Sequence, residues 1–83
     1  MNRPIIYAIM VLYNPKLELT REAIKHLSHQ VDKIICIDNS TTDNQQFSLV
    51  SNNLLYIPLK QNLGIAKAQN IAISRFSSEC DFF

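Results

Sequence analysis

The sequence predicts an α/β fold: a parallel, Rossmann-like sheet of three to four strands with helices on both faces. Its apolar residues form continuous runs, which are typical of strands covered on both faces, rather than runs that alternate with polar residues. These runs alternate with amphipathic or polar segments in the order β-α-β-(α)-β-α-β, which favours parallel strands joined by right-handed crossovers. The chain has 83 residues and is 47% hydrophobic, so residues 1–83 are predicted to form a single globular domain.

The first strand is predicted over residues 4–12 and ends at Asn14-Pro15. Proline disfavours a helical conformation in the residue before it, and asparagine can cap the helix that follows. That helix is predicted over residues 17–30, because apolar residues recur there at helical spacing opposite a charged face, among them Leu17, Ile24 and Leu27.

The second strand, residues 33–37, ends at the turn-forming Asp38-Asn39-Ser40. Residues 41–53 are mostly polar and support at most a short helix. The third strand, residues 54–59, contains Pro58, which cannot donate a ladder hydrogen bond and therefore favours an edge position. A strand order of 3-2-1-4 places it at such an edge.

The last helix is predicted over residues 65–76, and residues 81–83 look like the opening of a fourth strand. In the order 3-2-1-4, Cys36 and Cys80 are separated by the first strand and lie roughly 9–10 Å apart, which is beyond disulfide reach. Both cysteines are therefore predicted to be free thiols in a reducing compartment.

Charge and hydropathy exclude several classes of protein. Eight Lys and Arg against seven Asp and Glu leave a net charge of +1, so the chain lacks the basic surface of a nucleic-acid-binding protein. The longest apolar run, residues 5–13, is about half the length that spans a bilayer, and no small-residue cleavage site follows it. We expect a cytoplasmic protein without a transmembrane segment and leave open whether it lies at the inner face of the membrane.

The candidate site is the edge where the predicted strands end, because open α/β sheets bind ligands at the carboxyl ends of their strands. Asp38 can accept hydrogen bonds there from ribose hydroxyls or from a base N–H, and Tyr13 offers an aromatic face. Gly64 lets a ligand approach backbone N–H groups at the start of a helix. Polar residues at this edge therefore predict a nucleotide-binding α/β half-domain.

The same residues also have structural interpretations. Asp38-Asn39-Ser40 is a good turn and helix cap, Gly64 is typical of a turn, and Asn70 can hold two loops together from a buried position. The chain contains no G-x-G-x-x-G pattern, no P-loop, and no visible Ser-His-Asp or Cys-His arrangement. His26 and His29 lack matching carboxylates or cysteines, which favours exposed helix residues over metal ligands.

Three loop motifs taken together resemble the amino-terminal part of the family 2 glycosyltransferases, and most closely the bacterial rhamnosyltransferase branch that builds surface polysaccharide. The motifs are residues 11–15, 31–40 and 62–72, and residues 81–83 look like the strand that leads into the family's metal motif. The resemblance covers nearly the whole chain. It implies the nucleotide-binding half of a GT-A domain, and thus a partial domain, with a nucleoside-diphosphate sugar as its ligand.

The resemblance also implies nucleotide-binding roles for particular residues. Asp38 matches the acid that contacts the base, and the other matching positions are Leu12, Tyr13, Asn14, Asn39, Asn62, Gly64 and Gln69. Two residues depart from the family pattern. Leu12 stands where the family usually has Thr, and Ala72 stands where it often has Gly.

The family places its Asp-x-Asp metal motif, its acceptor site and its catalytic base beyond the position of Asp81. The resemblance therefore implies a divalent cation, Mg²⁺ or Mn²⁺, for the full-length enzyme, but no ligand motif and no catalytic residue in this chain. We expect a glycosyltransferase fragment that is inactive alone, with rhamnose as the suggested sugar. We also expect self-association through the unfinished sheet edge at Phe82 and Phe83. The alternative is a small non-catalytic α/β module that binds nucleotides or other proteins.

Overall fold

A computed structural model describes residues 3–83 and confirms the predicted α/β architecture. Its strands are β1 (Tyr7–Leu12), β2 (Lys33–Asp38) and β3 (Leu54–Pro58). The helices α1 (Leu17–Ser28) and α2 (Ile65–Phe76) follow β1 and β3, and a short 3₁₀ helix (Gln45–Leu49) lies between β2 and β3. None of the helices in this described range is long and apolar enough to cross a membrane.

The strands are parallel and pair in the order β1-β2-β3. Pro58 ends the edge strand β3, which confirms the position predicted from its missing N–H. On the other side of β1, Ile6 and Phe82 form an isolated parallel bridge, and the Tyr7 N–H donates to the Phe82 carbonyl oxygen at 2.9 Å. The order 3-2-1-4 is therefore present, although residues 81–83 contribute a single bridge rather than a strand.

The core lies on both faces of β2, which explains its continuous apolar run. The β2 side chains on one face pack with the Ala68, Ala72 and Phe76 stripe of α2. Those on the other face pack with Ile24 of α1 and Phe47 of the 3₁₀ helix. One α-helix thus covers each side of the sheet, and β2 is buried between them.

The start of α1 differs from the prediction. The residue before its first turn is Lys16 rather than Asn14, and Lys16 makes no side-chain cap bond with the part of the chain described. Asn14 adopts a left-handed backbone conformation (φ 45°), which asparagine tolerates, and donates its N–H to Ser40 Oγ at 2.7 Å. Its backbone therefore connects two loops, and its side chain does not cap the helix.

Both cysteines are free thiols within residues 3–83, as predicted. Cys36 is buried in β2, and Cys80 is half-buried after α2. Burial raises the pKa of the Cys36 thiol to about 12, and the nearby Asp38 carboxylate contributes to the same shift. Cys36 is consequently a packing residue that stays protonated at neutral pH.

Candidate functional site

The carboxyl ends of the three strands lie side by side at one edge of the sheet. Leu12 pairs with Asp38, and Asp38 pairs with Pro58, in the register of the sheet. The loops that follow the strands therefore begin at the same edge, as expected for parallel strands. We call this region, formed by residues 13–16, 39–44 and 59–64, the carboxyl edge.

Asp38 lies at the carboxyl edge and is fully buried. Its Oδ1 accepts the Ser40 N–H at 2.9 Å, and its Oδ2 accepts the Tyr56 hydroxyl at 2.5 Å and the Asn44 side-chain amide at 2.7 Å. Burial raises the pKa of this carboxyl, but the hydrogen bonds from Tyr56, Ser40 and Asn44 outweigh burial and hold the pKa below its usual value. The carboxylate is thus charged at neutral pH and hydrogen-bonded to groups of the chain itself.

Tyr56 and Asn44 belong to the site but were not among the residues predicted from the sequence. The Tyr56 hydroxyl donates to Asp38 and accepts the Asn44 backbone N–H at 2.7 Å, so the three residues form a closed hydrogen-bonded group. Burial raises the pKa of Tyr56, and its hydrogen bond to Asp38 raises that pKa further. The sequence held only part of the signal for the contact between Tyr56 and Asp38. Strand periodicity puts Tyr56 on the same face as Pro58, but the pairing of Pro58 with Asp38 is known only from the register of the sheet.

Asn39 connects β2 to the loop before α2. Its side chain is almost fully buried, its amide donates to the Gly64 carbonyl oxygen at 3.2 Å, and its Oδ1 accepts the Leu63 N–H at 3.2 Å. Its backbone N–H donates to the Leu12 carbonyl oxygen at 2.7 Å. Asn39 therefore has the loop-holding role suggested for Asn70, whereas Asn70 is exposed on α2.

Ser40 connects β2 to the loop that follows β1. It is buried, and its Oγ accepts the Asn14 N–H at 2.7 Å. Three consecutive residues, Asp38, Asn39 and Ser40, thus each hold a different loop of the carboxyl edge. A structural role and a nucleotide-binding role are compatible for this tripeptide, because its buried hydrogen bonds position the three loops of the carboxyl edge.

The predicted site residues divide into a buried group and an exposed group. Tyr13 is 57% exposed, and the other exposed members are Asn14, Asn62, Gly64 and Gln69. Four of these belong to loops of the carboxyl edge, whereas Gln69 lies one turn into α2. Leu12 is buried in the core on the α1 side of the sheet, so its side chain is not part of the exposed edge.

Gly64 immediately precedes α2 and has a backbone conformation, φ 86° and ψ 163°, that is accessible almost only to glycine. Apart from its chain neighbours, no described heavy atom lies within 4 Å of the position that a Cβ would take. The Asn62 Oδ1 accepts the Gly64 N–H at 3.0 Å. The backbone therefore requires this glycine, and the open space beside it leaves the start of α2 accessible.

The start of α2 is electrostatically suited to an anion. Its first turn contains no acidic residue and does contain the exposed Lys67. The first N–H groups of a helix have no intrahelical acceptor, and the positive end of the helix dipole lies there. A negatively charged group beside Gly64 would be stabilised by both effects.

No metal centre is evident across residues 3–83. That range contains no group of three or more His, Cys, Asp or Glu side chains that could hold a metal ion. His26 and His29 are exposed at the end of α1. The described residues therefore provide no ligand set for the divalent cation expected of the full-length family.

Comparison with known proteins agrees with the loop motifs. The model of the family described as Glycosyl transferase family 2 matches residues 7–83. The dTDP-rhamnosyl transferase RfbF of Shigella flexneri is 40% identical over 75 residues, which are 89% of this chain and 25% of that protein. The chain thus spans about a quarter of the curated relative it matches, and no solved structure gives a significant match. These matches confirm the resemblance inferred from the motifs.

Proposed function

Because the chain belongs to glycosyltransferase family 2, we propose that it binds the nucleotide of a nucleoside-diphosphate sugar at the carboxyl edge, as the donor-binding part of a sugar transferase. One observation carries the proposal: Asp38, Asn39 and Ser40 hold three loops from within, and these loops present polar and aromatic groups to solvent. Loops that are already held in place lose less conformational freedom when a ligand binds, even where one of them must shift to admit it. We also propose that residues 1–83 form one folding unit, a partial domain, for this purpose.

Tyr13 and Asp38 are the proposed contacts of the nucleoside. The exposed Tyr13 ring follows the end of β1 and can stack on a base. A carboxylate has about four acceptor positions, and the three hydrogen bonds to Asp38 leave capacity on Oδ1 for a base N–H or a ribose hydroxyl. Since Asp38 is fully buried, this contact requires a neighbouring loop to move when the nucleotide binds.

The start of α2 is the proposed site of the diphosphate. Gly64 leaves space there, and the free N–H groups of the first helical turn suit phosphate oxygens. Asn14, Asn62 and Gln69 are the proposed polar contacts around it, and all three are exposed. We assign the buried Asn39 and Leu12 a supporting role through the hydrogen bond between their backbones.

The donor sugar is proposed from the relative's name. RfbF is called a dTDP-rhamnosyl transferase, so we propose a dTDP-linked sugar, with rhamnose as the first choice. A surface-polysaccharide acceptor is proposed separately, from the resemblance of the loop motifs to the rhamnosyltransferase branch. A diphosphate leaving group needs a cation to neutralise it, so the complete enzyme is proposed to use Mg²⁺ or Mn²⁺. We assign no metal ligand and no catalytic base to these 83 residues and expect no sugar transfer by them alone. Transfer by the pure chain would contradict that assignment.

A nitrogen-15 amide titration of the chain with dTDP, UDP and GDP, each with and without Mg²⁺, tests the proposal. We expect dTDP to shift the signals of Tyr13, Asn14, Asn62 and Gly64 more than UDP or GDP does, and Tyr13→Ala to weaken dTDP binding. His29→Ala serves as the control, because His29 is exposed at the opposite end of α1. That variant should bind the nucleotide as the unaltered chain does.

Two other results would refute parts of the proposal. A well-dispersed spectrum that no nucleotide shifts would exclude the donor-binding role and favour a protein-interaction module. A collapsed spectrum of the unaltered chain would show that residues 1–83 do not fold as one unit.

A further inference from the structure

We propose that Tyr56 is a positioning residue of the nucleotide site, which orders the carboxyl edge through Asp38 without touching the ligand. The inference rests on the proposed function and assigns a role to a residue that neither the loop motifs nor the predicted site included. Its basis is the hydrogen-bonded group of Tyr56, Asp38 and Asn44 at the ends of β2 and β3.

The Tyr56 hydroxyl uses both of its hydrogen-bonding capacities inside this group. It donates to Asp38 Oδ2 at 2.5 Å and accepts the Asn44 backbone N–H at 2.7 Å. The Asn44 side-chain amide donates to the same Oδ2 at 2.7 Å. Tyr56 therefore fixes the orientation of the carboxylate and also the position of the loop that contributes Asn44.

The orientation of Asp38 is transmitted to the next loop. With Oδ2 held by two donors, Oδ1 is directed at the Ser40 N–H, 2.9 Å away. Ser40 in turn holds the Asn14 N–H through its Oγ at 2.7 Å. Without the Tyr56 hydroxyl, the carboxylate would keep one donor on Oδ2, and the loop that carries Tyr13 would lose part of its support.

A structural anchor alone would affect stability and leave the exposed loops unchanged. A positioning residue must also alter groups that it does not touch, here the Ser40 and Asn14 amides. Tyr7 provides a matched comparison, because its hydroxyl also donates to a carboxylate, Glu79 at 3.2 Å, but at the opposite end of the sheet. Removing each hydroxyl by Tyr→Phe therefore makes the same chemical change at two distances from the site.

The test compares Tyr56→Phe with Tyr7→Phe in the whole chain, by nitrogen-15 spectra of the free protein and by titration with dTDP. We expect Tyr56→Phe to shift the Ser40 and Asn14 amide signals and to weaken dTDP binding about tenfold, equivalent to about 1.4 kcal/mol. Tyr7→Phe should leave these two signals in place and change the affinity for dTDP less than about twofold, because Tyr7 lies outside the carboxyl edge. If Tyr56→Phe loses its dispersed spectrum, both Tyr→Phe variants are compared again in a stabilising osmolyte such as trimethylamine N-oxide, which favours the folded state.

The failure of the positioning role and the failure of the proposed function are distinguishable. If the unaltered chain binds no nucleotide, the proposed function fails, and with it any role of Tyr56 in nucleotide binding. If the unaltered chain binds dTDP and the Tyr56→Phe variant binds it equally well with unshifted Ser40 and Asn14 signals, only the positioning role is overturned.

Discussion

Replacing Asn39 with alanine tests whether the carboxyl edge is held from within. The change removes the acceptor of the Leu63 N–H and one donor to the Gly64 carbonyl oxygen, both from a side chain that is 2% exposed. Each hydrogen bond contributes about 0.5–1.5 kcal/mol, so the expected loss is about 2 kcal/mol. The two hydrogen bonds together contribute about 1–3 kcal/mol. The expected loss lies in the middle of this range because the Gly64 carbonyl oxygen still accepts the Ala68 N–H in the variant. A domain of this size has a free energy of unfolding of about 4–12 kcal/mol, so the loss is a large fraction of it.

Urea and thermal unfolding followed by circular dichroism measure this loss. A loss of about 2 kcal/mol lowers the melting temperature by about 8–16 °C in a domain of this length. Asn70→Ala is the matched control, because Asn70 is exposed on α2 and alanine favours a helix, and its effect should stay within about 0.5 kcal/mol. Equal unfolding midpoints for the two variants would refute the idea that Asn39 holds the loop before α2.

Three further predictions follow from burial and charge. The pKa of Asp38 is below its ordinary value of 3.8, so its stabilising contribution is complete above that value and is lost as pH falls through the lower folded-state pKa. As pH is lowered from 5 to about 2, the urea midpoint should therefore fall more steeply for the unaltered chain than for Asp38→Asn. An equal dependence of the midpoint on pH in the two proteins would contradict this. A thiol reagent at pH 8 should modify the half-buried Cys80 well before Cys36, because Cys36 is buried and its pKa is raised to about 12. Equal modification rates in the folded chain would show instead that Cys36 is accessible. Phe82 and Phe83 are 60% and 45% exposed, so sedimentation should show self-association that Phe82→Ser weakens, whereas a monomer at every concentration would count against it.

The fold could be predicted from the sequence largely because the residues that end its strands are easy to recognise. Continuous apolar runs end at Asn14-Pro15 and at Asp38-Asn39-Ser40, which leaves little freedom in where β1 and β2 stop. The bounds predicted for the last helix, residues 65–76, are those observed. Pro58 indicated an edge strand through a single missing N–H, and β3 lies at the edge of the sheet.

The internal contacts of the site were harder to predict, because they depend on which side chains meet across strands and loops. The hydrogen bond from Tyr56 to Asp38 requires the register of β2 with β3, which no local pattern specifies. The exposure of Asn70, by contrast, could have been predicted from helical periodicity. The buried stripe of α2 includes Ala68 and Ala72, and a residue halfway between them points to the other side of a helix.

The adjacency of Asp38, Asn39 and Ser40 has a consequence for how such a chain diversifies over evolution. The residues that hold the loops are contiguous and buried, whereas Tyr13 and Asn62 are exposed and lie on separate loops. Under the proposed function, a lineage can therefore exchange the exposed residues one at a time, and so alter which donor is accepted, without disturbing the buried residues that hold the loops. A substitution within the tripeptide, by contrast, disturbs a whole loop at once. We expect descendants with new donor preferences to differ mainly at the exposed positions of the edge and to retain its buried residues.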